Sequence, residues 1–242
     1  INADGLQRLR AVGRVAELTA QADETKADGH TGIAHTRWAT HGVPCERNAH
    51  PHISGGLAVV HNGIIENHEI LRERLKGEGY VFTSDTDTEV VAHLIASELK
   101  STPDFFTAVR AAVAQLQGAY ALAVLRENDP SRIVVAREGA PLLLGLADDG
   151  NYAASDVSAL LQVTRRIVYL ENGDCAEVMR DTCRITLVDG TPVERKESHT
   201  QLSADAVELG EYRHFMQKEI FEQPVAVSNT LEMLSAVRSI QP

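Results

Sequence analysis

The sequence has little from which to build a disulfide or metal framework. Its three cysteines, Cys45, Cys175 and Cys183, are odd in number and fall at no ligand or pairing spacing, as in a reducing compartment. It also lacks an excess of base. Lys and Arg number 23 against 34 Asp and Glu, a formal charge of −11, which excludes a broad cationic face for nucleic acid because phosphate binding needs clustered cations. No apolar run approaches the ~20 residues of a membrane helix, and the start, INADGLQRLR, lacks the basic-then-apolar order of a signal peptide. There is no internal repeat, low-complexity tract or HExxH pair, and Gly77-Glu78-Gly79 is too short for a phosphate cradle and fits a helix end better. These absences predict a soluble, cytoplasmic protein with no membrane or nucleic-acid partner.

What remains is ample for a core: 242 residues, 43% of them hydrophobic, enough for one large domain or a domain with an appendage. Val12, Val15 and Leu18 give a short helical pattern over 12–22, and Gly29 and Gly32 break it. From Ile33 to Gly56 the chain has loop chemistry, with one strand expected into His35. Leu57–Val60 reads as a strand ending on the turn signature His61-Asn62-Gly63, followed by a helix with Ile70, Leu71 and Leu75 on one face. Thr86-Asp87-Thr88-Glu89 is a capping box that opens a helix burying Val90, Val91, Leu94 and Ile95. Thr102 as N-cap and Pro103 at N1 predict a second helix carrying Phe106, Val109, Ala112 and Val113.

From Ala119 the period becomes that of strands, over 119–125, 132–137, 142–146, 151–154, 165–169, 174–179 and 183–188. Turns are expected at Asn128-Asp129-Pro130, Asp148-Asp149-Gly150, Glu171-Asn172-Gly173 and Asp189-Gly190. Helices first and strands after predict an α+β fold with antiparallel sheets covered by helices. Residues 195–210 read as a linker, and Tyr212–Leu234 as helix interrupted at Pro224. Ile1 opens the chain as if in mid-fold, and the last helical pattern stops at Gln241-Pro242, so a natural beginning and a further domain are expected outside it.

Six of the ten histidines, His35, His41, His50, His52, His61 and His68, fall in one loop-rich stretch with the sole tryptophan, Trp38. Polar side chains this dense make poor core, which marks the stretch as the candidate site. Taken singly, each histidine is explained as well by satisfying a loop carbonyl. His50-Pro51-His52 brings two imidazoles close, but no acid or cysteine at ligand spacing joins them, so no metal is expected. Cys45 has neither a helix N-terminus nor a lysine behind it to lower its pKa, and Cys175 and Cys183 lie in strand-like runs, so all three read as passive thiols. Asn62-Gly63 offers a side-chain amide and an open backbone N–H, the two donors an oxyanion hole needs, or simply a turn. Arg37 offers a fork for a carboxylate, or a cation stacked beside Trp38; Asp87 offers an acid for an ammonium, or a charge at a helix N-terminus. An amino acid carries both complementary groups.

The segments His35–Gly42 (HTRWATHG), Asn48–His52 (NAHPH), His61–His68 (HNGIIENH) and Thr86–Glu89 (TDTE) together resemble the glutaminase domain of the glucosamine-6-phosphate synthase family of class II glutamine amidotransferases. Tyr212–Pro224 (YRHFMQKEIFEQP) is similar to that family's segment joining the glutaminase to the sugar isomerase domains. The resemblance implies an N-terminal-nucleophile hydrolase fold, a four-layer α/β/β/α sandwich with antiparallel sheets, here without its first strand and helix. It implies a glutamine amidotransferase domain over 1–204 and a linker and helical segment over 205–242 leading to sugar isomerase domains.

By the same resemblance Asn62 and Gly63 hold the oxyanion, Arg37 binds the glutamine carboxylate, Asp87 binds the α-ammonium, and Thr40 and His41 line the site. Trp38 gates the ammonia passage. L-Glutamine is the implied substrate, no cofactor is needed, and the intact family enzyme is a homodimer. The family's nucleophilic N-terminal cysteine is not in this chain, so the chain as it stands is expected not to hydrolyse glutamine. A catalytically inactive glutamine-binding regulatory module of the same fold is the alternative. Amidophosphoribosyltransferase is a third reading, against which residues 212–224 speak.

Overall fold

A computed structural model of the chain describes residues 1–2, 5–37, 42–201, 210 and 212–238. They form two compact units, Ile1–Thr200 and Gln201–Pro242. The first unit runs α1 (Val15–Thr25), β1 (His52–Ser54), β2 (Leu57–Ile65), α2 (His68–Gly77), α3 (Asp87–Ser101), α4 (Phe105–Val113), β3 (Gly118–Arg126), β4 (Asp129–Glu138), β5 (Leu143–Leu146), β6 (Asn151–Ala154), β7 (Arg166–Tyr169), β8 (Asp174–Met179), β9 (Cys183–Leu187) and β10 (Glu197–His199). All ladders between these strands are antiparallel, in a six-stranded sheet ordered β1-β2-β3-β4-β8-β9 and a four-stranded sheet ordered β10-β7-β5-β6. This is the α+β architecture the order of patterns predicts.

The period of two along the strands builds two cores. Leu122 and Val124 of β3, with Val134 and Ala136 of β4, face α2, α3 and α4, where Phe105, Phe106, Leu94 and Ile95 are fully buried. The alternate residues Ala121 and Val135, with Ala176 and Val178 of β8, meet Leu144 and Val168 of the other sheet and Leu142 and Leu170 that flank its strands. Burying a leucine- or phenylalanine-sized side chain contributes ~1.5–3 kcal/mol, so both faces of the six-stranded sheet are held. The first half of helix α3 is enclosed: every residue from Asp87 to Ile95 is buried, which fixes its first turn beside β2.

Several sequence expectations need correction. Asn62-Gly63 is not a turn. β2 runs through it, with Asn62 opposite Ala121 and Gly63 opposite Tyr120, because continuous pairing with β3 overrides the local signature. The residue that accommodates this is Gly63, at φ 122, where an added Cβ would lie 2.0 Å from the Ala119 carbonyl oxygen. Residues 32–37 are not assigned to a strand, since no described strand pairs with them. Ile70 points outward at 76% exposure, whereas Leu71 and Leu75 are buried. Helix α4 is capped by Asp104, whose carboxylate accepts the Thr107 N–H at 2.8 Å, because α3 extends through Ser101 and leaves Thr102 as its C-cap. Pro130 lies within β4, which starts a residue before it. The expected linker contains β10, paired with β7.

In the second unit α5 (Phe215–Arg238) continues through Pro224, which removes a single helical N–H without ending the helix.

Candidate functional site

Three segments converge on one hollow. β2 contributes His61, Asn62, Gly63 and Ile64, the first turn of α3 contributes Thr86, Asp87 and Thr88, and the extended stretch after Ile33 contributes His35, Thr36 and Arg37; His50 closes one side. The cavity they line measures about 350 Å³, within the roughly 300–1,000 Å³ of small-molecule sites. A larger cavity of about 840 Å³ between the sheets shares His35, His61 and Asn62 with it.

Local chemistry sets each position. Thr86 is the N-cap of α3, its hydroxyl accepting the Glu89 N–H at 3.4 Å. The capping box is only half formed. Instead of returning to Thr86, the Glu89 carboxylate accepts the backbone N–H groups of Thr83 (2.8 Å) and Ser84 (2.7 Å) and both of their hydroxyls. Burial alone would raise the Glu89 pKa, but these hydrogen bonds outweigh it and hold the carboxyl below its ordinary range. The loop entering α3 is thereby strapped down, and Asp87 is fixed with it. The Asp87 carboxylate accepts the Ile65 N–H at 2.9 Å and stands 3.9 Å from His61 Nδ1.

Around these groups runs a chain of imidazoles. His35 Nε2 is 2.8 Å from Asn62 Oδ1, and the His35 ring lies 4.0 Å from that of His50. The Thr88 hydroxyl bridges His50 Nε2 and His61 Nδ1, both at 3.1 Å. His52 contacts the Thr86 hydroxyl at 3.0 Å. Burial lowers the pKa of His35, takes His52 down to about 4, and takes His50, with His35 and His52 beside it, down to about 2. His35, His50 and His52 are therefore neutral near pH 7, and they can donate or accept hydrogen bonds without adding charge. Arg37 donates to the Gly42 carbonyl at 3.2 Å and is the cation on the cavity wall.

The structure thus brings Arg37, Asn62, Gly63 and Asp87 to one hollow. Trp38, Thr40 and His41 lie outside the described residues. His35, His50, His61 and Thr88 escape assignment from sequence. The histidine density marks their region without ranking them, and Thr88 is hidden inside the capping motif. The thiols stand elsewhere: Cys45 is half-buried and does not line the hollow, while burial pushes Cys175 up to about 12 and Cys183 to about 11. Among the described residues no three His, Cys, Asp or Glu side chains are grouped to hold a metal, and no helix is long and apolar enough to cross a membrane.

Comparison with known proteins gives a consistent set. Residues 35–162 match the glutamine amidotransferase domain family. Two curated proteins named glutamine–fructose-6-phosphate aminotransferase (isomerizing) are similar over 94% of this chain: that of Acidithiobacillus ferridurans at 60% identity and that of Vibrio cholerae at 56%. The chain spans 37% of the length of each. Among solved structures, glutamine phosphoribosylpyrophosphate amidotransferase from B. subtilis, complexed with ADP and GMP, superposes with a TM-score of 0.52 at 27% identity. That superposition covers 64% of this chain and 34% of the other.

Proposed function

This chain belongs to the glutamine amidotransferase domain family, and from that membership we propose that it is the glutamine-hydrolysing part of a glutamine–fructose-6-phosphate aminotransferase. It releases ammonia from L-glutamine for the conversion of fructose 6-phosphate to glucosamine 6-phosphate on sugar isomerase domains of the same polypeptide. The observation that carries the reading is the single cavity lined by Arg37, Asp87, Asn62 and Gly63. A guanidinium and a carboxylate on its walls match the two charged poles of an amino acid, and the amide pair can supply the donors a polarised carbonyl needs. The relatives at 60% and 56% identity support the aminotransferase over the phosphoribosyl alternative, whose solved member stands at 27%.

In this reading Arg37 binds the α-carboxylate and Asp87 the α-ammonium, using the oxygen not engaged by Ile65. That anchoring presents the side-chain amide to the attacking nucleophile. As the amide carbon becomes tetrahedral, its oxygen gains charge. The Asn62 N–H and the Gly63 backbone N–H stabilise that charge more than they stabilise the ground state. Thr40 and His41 complete the pocket and Trp38 gates the ammonia passage. The domain boundary near residue 204, the cytoplasmic location and a homodimeric intact enzyme belong to the same proposal.

The test is glutamate release from L-glutamine by the intact protein, with fructose 6-phosphate present and absent. Asn62→Ala is expected to lower kcat by ~10²- to 10³-fold with little change in KM. An intact protein that binds glutamine but never hydrolyses it would replace this reading with that of an inactive binding module.

A further inference from the structure

We propose that His35 is a positioning residue: its imidazole decides which end of the Asn62 amide faces the cavity. The proposal rests on Asn62 acting as an oxyanion donor. An asparagine amide is chemically two-ended, with an NH2 that stabilises a developing oxyanion and a carbonyl that repels it. Nothing in Asn62 itself or in its pairing opposite Ala121 on β3 chooses between the two. The choice lies with the neighbour, and the neighbour is His35 Nε2, 2.8 Å from Oδ1.

For Oδ1 to be the atom held there, Nε2 must carry a proton. His35 Nδ1 is buried and makes no well-formed hydrogen bond, the ring's further attraction being to the His61 carbonyl. A proton on Nδ1 would strand a buried donor, which folded proteins rarely tolerate, whereas a bare Nδ1 strands only an acceptor. The Nε2–H tautomer is therefore the better satisfied one. It donates to Oδ1 and turns the amide NH2 away from itself. Burial disfavours the doubly protonated ring, which would strand the same Nδ1 proton, and so does the Arg37 guanidinium, against the opposing hydrogen bonds to Asn62 and the His61 backbone. His50 is itself held by the Thr88 hydroxyl at 3.1 Å, so the His35 ring is wedged between the amide it orients and a fixed second ring. None of this requires His35 to touch substrate.

An isosteric pair of substitutions in the intact protein tests the idea. His35→Gln can place an N–H donor near the position of Nε2, and His35→Glu only acceptor oxygens, which draw the Asn62 NH2 toward residue 35. The expected result is kcat for glutamate release within about threefold of wild type for His35→Gln and lower by ~100-fold for His35→Glu, with KM for glutamine nearly constant in both. In an Asn62→Ala background the Glu substitution is expected to cost less than about threefold more, because the group it acts through is gone. Should His35→Glu not fold, His35→Leu, which supplies neither donor nor acceptor, takes its place with a ~10-fold loss of kcat expected. Equal activity of the Gln and Glu variants, or an undiminished loss in the Asn62→Ala background, overturns the proposal while leaving the hydrolytic reading intact. A wild-type protein that releases no glutamate overturns both.

Discussion

The Asp87 carboxylate accepts the backbone N–H of Ile65 at 2.9 Å. That bond ties the first turn of α3 to the end of β2, three residues beyond Asn62. The acid that would hold an ammonium and the amide that would hold an oxyanion are thus fixed to one another through a buried hydrogen bond. Asp87→Asn keeps an acceptor for Ile65 and removes the charge. The expected outcome is a ~10- to 100-fold rise in KM for glutamine, the loss of a charge-assisted bond, with kcat and the unfolding midpoint little changed. Steady-state kinetics alongside thermal melts check it, and an unchanged KM removes the ammonium role.

Arg37→Lys separates charge from shape. Lysine keeps the cation but cannot present two parallel donors to a carboxylate. Glutamine KM is expected to rise by ~10-fold or more while kcat for bound substrate holds. Retention of wild-type KM by the lysine variant would show that no forked carboxylate contact is made.

Gly63 carries the strand through the site by a backbone conformation that side chains resist. Gly63→Ala is expected to destabilise the fold by ~1–3 kcal/mol from backbone strain, with the contact to the Ala119 carbonyl in addition. Gly79→Ala is the matched control: its φ is 92, and an added Cβ meets nothing within 4 Å. Urea unfolding of the two variants should show a distinctly larger loss for Gly63→Ala, and equal losses would contradict the close approach of β3.

Stability should fall in weak acid, because folding keeps His50 and His52 neutral at about 2 and about 4 against an ordinary 6.5. As pH drops below 6.5 the unfolded chain takes up protons that the folded chain refuses. Stability is therefore full above that pH and declines below it, by up to ~1.4 kcal/mol per pH unit for each histidine until its folded pKa is reached. Burial keeps the proton off His50, helped by His35, His52, His61 and Arg37, and for His52 burial outweighs the attraction of Glu89, with Arg10, Arg8 and Arg37 acting in the same direction as burial. Urea midpoints at pH 7 and pH 5 should differ in the wild type and differ less in a His50→Gln, His52→Gln double variant, which keeps His35 and His93 with their lowered pKa values. A pH-independent wild type would contradict the neutral cluster.

The second half of the fold is legible in sequence because alternation and turn residues act locally: β3 to β9 fall within a few residues of their predicted limits. The Thr86 cap is legible for the same reason. Asn62-Gly63 misleads as a turn because the pairing that overrides it comes from residues 118–126, far along the chain. Ile70 misleads because helical periodicity gives a face, but the core chooses its width. The candidate site divides the same way. Arg37, Asp87, Asn62 and Gly63 carry their chemistry in their side chains and their resemblance in the surrounding motifs. The link from His35 to Asn62 spans 27 residues and exists only once β2 is in place.

The most direct test of the account is a crystal structure of the intact protein with L-glutamate, the product of the proposed hydrolysis, bound. The prediction is an α-carboxylate paired with Arg37, an α-ammonium on Asp87 and the side-chain carboxyl directed at Asn62 and Gly63. Glutamate seated elsewhere, or with its α-groups turned away from Arg37 and Asp87, would contradict it.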